Sequence, residues 1–326
     1  MLTALAKKNV LFITTKNLDY IRNTQEIALI KKEAASHTII GSNNRYYFIR
    51  LLSVYFSLIK ISTVQFDTVF IGFAPQLILP LFRHKFRHNY IVIDFFISLF
   101  DTFCEDRQLF RSRSIPGRFL HRLDQITLRQ ADLVICDTIS HGAYFTSEFG
   151  ISPDRLHPLY LQADAAIYHP QIVEKPARLK DKYVVLYFGS ILPLQGIDIV
   201  LQAITLLEKE ENIFFYFIGP VKEKTRSSLC PYAKNVKFIN WLSQEQLAQY
   251  ISQADLCLAG HFNTNIAKAK RTIPGKAYIY QAMKKPMILG DNPANHELFH
   301  PDPFHVFVEM GNPNALADTI LALSKD

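Results

Sequence analysis

Short apolar runs alternate with longer amphipathic or polar stretches along the whole chain. The first half carries "NVLFITT", "HTIIGS", "TVFIGF", "NYIVIDFF", "ADLVICDT" and "LHPLYL"; the second carries "YVVLYFGS", "IFFYFIGP", "VKFINWL", "ADLCLAG", "PMILGD" and "HVFVEM". Apolar runs of this length, separated by helix-length segments, specify parallel strands joined by helical crossovers, because helices then cover both faces of the sheet. Near residue 170 the alternation breaks into "YHPQIVEKPARLKDK", which is charged, Pro-containing and aperiodic and reads as a linker. The expected fold class is α/β: two Rossmann-like doubly wound domains facing across a cleft, residues 1–170 and 171–326.

Length agrees, since 326 residues exceed one ordinary domain of about 100–200 residues. With 49% hydrophobic and 20% charged residues both halves can build cores. Cys104, Cys136, Cys230 and Cys257 show no metal-like spacing, and two lie inside apolar runs, so they read as reduced core residues of a cytoplasmic protein. The opening "MLTALAKKNVLFITT" enters a strand directly, without the apolar core of a secretory signal. No apolar run approaches the roughly 18 residues that span a bilayer, so the expected location is cytoplasmic, with peripheral contact at the inner membrane face. Net charge is +7, and the first half, with 19 Lys+Arg against 14 Asp+Glu, holds most of the excess. No helix-turn-helix, finger or RNP-like segment occurs, so nucleic acid is not an expected partner.

Ligands of open α/β sheets bind beyond the carboxyl ends of the strands. That rule selects the turns at residues 14–16, 95–101, 137–141, 189–196, 219–220, 260–276 and 290–292. In "YFGSILPLQGIDIVLQAI", Gly189 and Gly196 bracket a turn before a helix, an arrangement in which backbone amides can approach phosphate oxygens. In "KAKRTIPGKAYIY", Lys268, Lys270, Arg271 and Lys276 surround Pro274-Gly275 at an expected helix entrance, without intervening acids. A helix N-terminus favours an anion; Lys276 can pair with a diphosphate and Arg271 can add a forked contact. A solvated charge run is the plainer reading of the same cluster.

Two strand ends in the first half carry candidate chemistry. "IDFFISLFDTF" places Asp94 and Asp101 where a carboxylate can orient an acceptor hydroxyl, or serve as a cap or an Asp–Arg pair. In "ICDTISHGAYF", His141 reads equally as a ligand and as a helix-start residue. Residues 44–60, "NRYYFIRLLSVYFSLIK", have the composition of a helix able to rest on an anionic membrane, with "RHKFRH" at 83–88 as a second basic patch; core packing explains the aromatics equally well.

The second half resembles the nucleotide-sugar-binding domain of glycosyltransferase family four, which has the two-domain GT-B fold. The matching phrases are "YFGSILPLQGIDIVLQAI", "FYFIGP", "VKFINWLSQEQLAQYISQADLCLAG" and "RTIPGKAYIYQAMKKPMILGDNPANHELF". The first half resembles the acceptor domain more loosely. The resemblance implies transfer of a sugar from a nucleotide diphosphate sugar to a glycan or lipid-linked acceptor, with configuration retained, no metal and no cofactor beyond the sugar nucleotide. It puts the donor diphosphate at Gly189, Ser190, Gln195, Arg271 and Lys276, and the nucleoside at Gly219 and Ile279. Asp101 becomes the carboxylate facing the reacting sugar and His141 a donor-sugar contact. One position departs: the glutamate that grips the ribose in that family falls on Ile279, which accepts no hydrogen bond. Ser190 and Gln195 stand where many relatives carry cations; each lost charged hydrogen bond is worth about 1.5–3 kcal/mol. A non-catalytic GT-B subunit binding a partner enzyme or a glycan is the alternative, and a sugar-nucleotide epimerase a more distant one.

Overall fold

The computed structural model describes residues 2–107, 109–231 and 234–325. The chain divides into two compact units, Met1–Leu161 and Gln162–Asp326, a division nine residues before the expected boundary. All twelve apolar runs are strands.

In the first unit these are β1 (Asn9–Ile13), β2 (Ser36–Ile40), β3 (Thr68–Ile71), β4 (Tyr90–Asp94), β5 (Leu133–Cys136) and β6 (Leu156–Pro158). They form one parallel sheet in the order β2-β1-β3-β4-β5-β6. Because β1 turns one way to β2 and the other way to β3, the strand order reverses between β1 and β3. Helices Tyr47–Lys60, Leu79–Phe82 and Ile115–Gln130 cover one face; Leu58, Leu79 and Leu128 meet Ile13, Ile71 and Ile93 in its core. Helix Ile21–Glu33 lies on the other face, where Ile30 packs with Val10, Phe12 and Phe70.

The second unit holds β7 (Tyr183–Phe188), β8 (Ile213–Ile218), β9 (Val236–Ile239), β10 (Leu256–Gly260), β11 (Met287–Gly290) and β12 (His305–Val308). Its parallel order is β12-β11-β10-β7-β8-β9, so the reversal lies between β7 and β10. Strands covered on both faces read as continuous apolar runs, which is why β10 is buried at every residue. The C-terminal helix Pro313–Leu323 packs on helix Ile197–Leu206, closing the core with Leu316 and Ile320. The four cysteines are buried and free of disulfides.

Candidate functional site

In the second unit the turns after β7 and β10 flank the reversal of strand order, where an open α/β sheet leaves a crevice for a ligand. Each is shaped by glycine. Gly189 (φ 154°) and Gly196 (φ 66°) hold backbone conformations that side chains disfavour. A Cβ on Gly219 would sit 2.4 Å from the Gly189 carbonyl oxygen, so the ends of β7 and β8 touch backbone to backbone. Around them is a cavity of about 410 Å³ whose wall includes Gly189, Ser190, Gly219, Asn240, Trp241 and Leu242. Trp241 stands largely in solvent, 77% exposed.

The cationic loop splits into parts with different fates. Residues 267–270 form a short 3₁₀ turn and Arg271, at its end, is half-buried, whereas Lys276 is 5% exposed. Helix Gly275–Ala282 begins at Pro274 and carries Lys276 inward. Among the described residues the ammonium has no hydrogen-bond partner. It lies 3.9 Å from the centre of the Tyr187 ring and would be 3.4 Å from a Cβ placed on Gly189. Burial pushes its pKa well below the ordinary lysine value. Behind it, buried His261 is held neutral, its pKa driven to about 3 by burial and by the neighbouring Lys276 charge. The structure thus brings together Gly189, Ser190, Gly219 and Lys276. Gln195 lies on the short turn Pro193–Gln195 and is tied to the neighbouring loop through the Phe262 N–H, which donates to its carbonyl at 3.3 Å. Ile279 is half-buried on the Lys276 helix and does not line the 410 Å³ cavity.

In the first unit, Asp101 opens a turn of π-helix, Asp101–Asp106, and is fully buried. Its backbone N–H donates to Ser98 Oγ, which donates to Asp124 at 2.7 Å. His141 is fully buried in helix Ile139–Phe149, its N–H donating to the capping Thr138 hydroxyl at 2.9 Å. Its ring lies 4.4 Å from that of Phe145, and its Nδ1 is 3.8 Å from an Asp137 carboxylate oxygen. The helix-start reading therefore describes its backbone, while the side chain packs in an aromatic cluster. For Asp94 the Asp–Arg pair is realised: Arg22 donates to both its oxygens, at 2.7 and 3.1 Å. Burial opposes the guanidinium charge, yet Asp94, with Asp137 and Glu26, outweighs it and raises the Arg22 pKa. Burial, then Asp94, pushes the Glu26 pKa far above the usual carboxylate range.

Sequence reasoning overlooked the residues 240–242 at the end of β9, Tyr187 beneath Lys276, and the Arg22–Glu26–Asp94 cluster. The strand-end rule, applied to the end of β9, would have found the first. The other two depend on partners distant in the chain.

Residues 182–326 match the family model of glycosyl transferases group 1. No curated protein matches the chain. Solved structures share the fold: Anabaena HepE in complex with UDP (14% identity, covering 98% of this chain and 90% of that one, TM-score 0.68) and sucrose-phosphate synthase from Thermosynechococcus elongatus (13%, 98% and 90%, TM-score 0.70). A putative UDP-N-acetylglucosamine 2-epimerase from Listeria monocytogenes is also similar (12%, 98% and 89%, TM-score 0.54). The architecture is thus the GT-B type, two Rossmann-like parallel-sheet domains in one chain.

Proposed function

We propose that this protein is a glycosyltransferase of the family-four type that moves a sugar, with retention, from a nucleotide diphosphate sugar to a glycan or lipid-linked acceptor, in the synthesis of a cell-surface polysaccharide or glycolipid. The observation that carries the reading is Lys276: an ammonium buried and, among the described residues, without a hydrogen-bond partner, at a helix N-terminus and beside the Gly189 turn. An unpaired buried charge is costly, and a diphosphate at this point supplies its counter-charge. In transfer the same ammonium and the amides of the helix end stabilise the leaving diphosphate. Ser190 lines the 410 Å³ cavity beside Gly219, which takes the nucleoside, with Trp241 in its wall, and Arg271 is assigned to the diphosphate by its place in the loop before the Lys276 helix. The match to glycosyl transferases group 1 over this unit supports the reading, and the HepE complexes with UDP and with UDP-glucose make uridine nucleotides the first to try.

In this proposal Asp101 faces the reacting sugar and His141 contacts the donor sugar. Both are fully buried, so contact with a sugar requires the turn and helix start that cover them to open.

The test is a thermal-shift titration with UDP, GDP and their sugar conjugates, alongside an Arg271→Ala, Lys276→Met double variant. Binding at 100 times Kd stabilises the protein by about 2.7 kcal/mol. A shift with one nucleotide class, abolished in the variant, bears out the donor site. Absence of any shift leaves Ile279 as the mark of a lost donor site and favours the non-catalytic GT-B reading. Ile279→Glu, at a half-buried position, tightens nucleotide binding where ribose hydroxyls come within its reach.

A further inference from the structure

We propose that the outer surface of the first unit's helical layer, helices Tyr47–Lys60, Leu79–Phe82 and Ile115–Gln130, docks on the anionic surface of a lipid bilayer. The proposal goes beyond the donor-site reading and stands without it. Among the described residues, fifteen exposed large apolar side chains lie in the first unit and five in the second, so the excess is a property of one unit.

Helix Tyr47–Lys60 shows why this is a surface and not a scatter. Its inner face buries Val54 and Leu58 in the core. Its outer face carries Phe48, Leu52, Phe56 and Ile59, at spacings of four, four and three that set them in one stripe; Phe48, Phe56 and Ile59 are each more than 60% exposed. A surface helix ordinarily turns polar residues outward, so one apolar on both faces is built for a second apolar partner.

The stripe continues onto neighbouring elements. Tyr55 ties the helix to the next by its ring, 5.6 Å from Phe82, and by its hydroxyl, which donates to the Leu77 carbonyl at 2.8 Å. Leu81 there is 67% exposed. Helix Ile115–Gln130 packs beside it, with Gln76 donating to Asp124 at 2.9 Å, and adds Ile115 and Phe119, 86% and 66% exposed.

The charges choose the occupant. Between Glu33 and Asp94 the only acid is Asp67, and between Asp106 and Asp124 there is none. The exposed cations Arg113, Arg118 and Arg122 rim an open hollow beside Phe119. Of the acids at its edge, Glu105 accepts from Ser112 at 2.7 Å and Glu148 meets His121 at 3.0 Å. A protein–protein interface is rimmed by polar residues of both signs, whereas apolar side chains ringed by cations fit the acyl boundary and phosphate layer of an anionic bilayer. No helix among the described residues is long and apolar enough to cross the membrane, so the contact is peripheral.

The test is vesicle co-sedimentation of the full chain on phosphatidylcholine alone and on equal parts phosphatidylcholine and phosphatidylglycerol, at low and high salt. The wild type binds the anionic vesicles, salt weakens the binding, and Phe48→Ser with Phe56→Ser lowers it at least about tenfold. Arg118→Glu with Arg122→Glu removes the preference for the anionic lipid. These positions are exposed, so the variants keep the wild-type circular dichroism spectrum. Three results overturn the proposal: no binding to anionic vesicles at low salt, binding that the Phe variant leaves unchanged, or a wild-type dimer in light scattering that the Phe variant breaks. The last would assign the face to a second copy of the chain. None of these outcomes bears on the nucleotide-induced thermal shift.

Discussion

The ammonium of Lys276 lies 3.9 Å from the centre of the Tyr187 ring, and among the described residues no hydrogen bond adds to that contact. A cation over an aromatic face in a desolvated setting gains about 2 kcal/mol, less than burial of an unpaired charge costs. The free protein therefore carries a local penalty that the proposed diphosphate would relieve.

Lys276→Met tests this directly. The unliganded variant is expected to be more stable than the wild type by about 1–3 kcal/mol, since a buried charge is exchanged for a side chain of similar length. In the same variant the stabilisation by nucleotide is lost. Urea unfolding with and without UDP measures both, and a variant less stable than the wild type in the absence of ligand would contradict the account.

Gly219→Ala is expected to destabilise the second unit by about 1–3 kcal/mol and to weaken nucleotide binding with it. The added methyl meets the Gly189 carbonyl at 2.4 Å, a backbone atom that cannot swing aside. Calorimetric titration of the variant with UDP reports the binding loss; wild-type affinity would mean that the two strand ends separate freely.

His261 gives the second unit an acid-side weakness. Its pKa of about 3 in the fold lies below the ordinary value of 6.5, so between these values the unfolded chain binds more protons. Stability therefore rises with pH through this window and is lost as pH falls from 6.5 toward 3. Melting curves of wild type and His261→Gln across that range are expected to show a shallower acid decline in the variant.

Glu26 acts with the opposite sign in the first unit. Its raised pKa means that the folded state holds a proton the unfolded chain releases above about 4.5, so its contribution is present at acid pH and declines as pH rises. Glu26→Gln keeps the size of the side chain and removes the titration; its stability relative to wild type is expected to grow with pH. Glu26→Ala loses a fully buried side chain and is destabilised at every pH.

Much of this was legible because parallel strands advertise themselves. "NYIVIDFF" and "ADLCLAG" are apolar on both faces and cannot be placed elsewhere than inside a sheet. Lys276 was legible too, through Pro274-Gly275 and the helix that follows. The sequence did not show that Lys276 would be buried while Lys270 stays exposed, since that depends on Tyr187 and Gly189 arriving from another strand. Arg22 and Asp94 are 72 residues apart, and no local pattern announces a pairing made by a helix on one side of the sheet and a strand end within it.

The closing of the second core by helix Pro313–Leu323 has a consequence for synthesis. The first unit ends in β6, an edge strand, and its sheet is complete once residue 158 has left the ribosome. In the second unit the first strand made, β7, lies inside the sheet, and helix Ile197–Leu206 waits for Leu316 and Ile320 to cover it. Parallel pairings separated by whole crossovers form late and leave apolar surface open meanwhile. A nascent chain therefore carries one finished half and one unfinished half until helix Pro313–Leu323 has been made, and truncation before that helix leaves the second half unable to close.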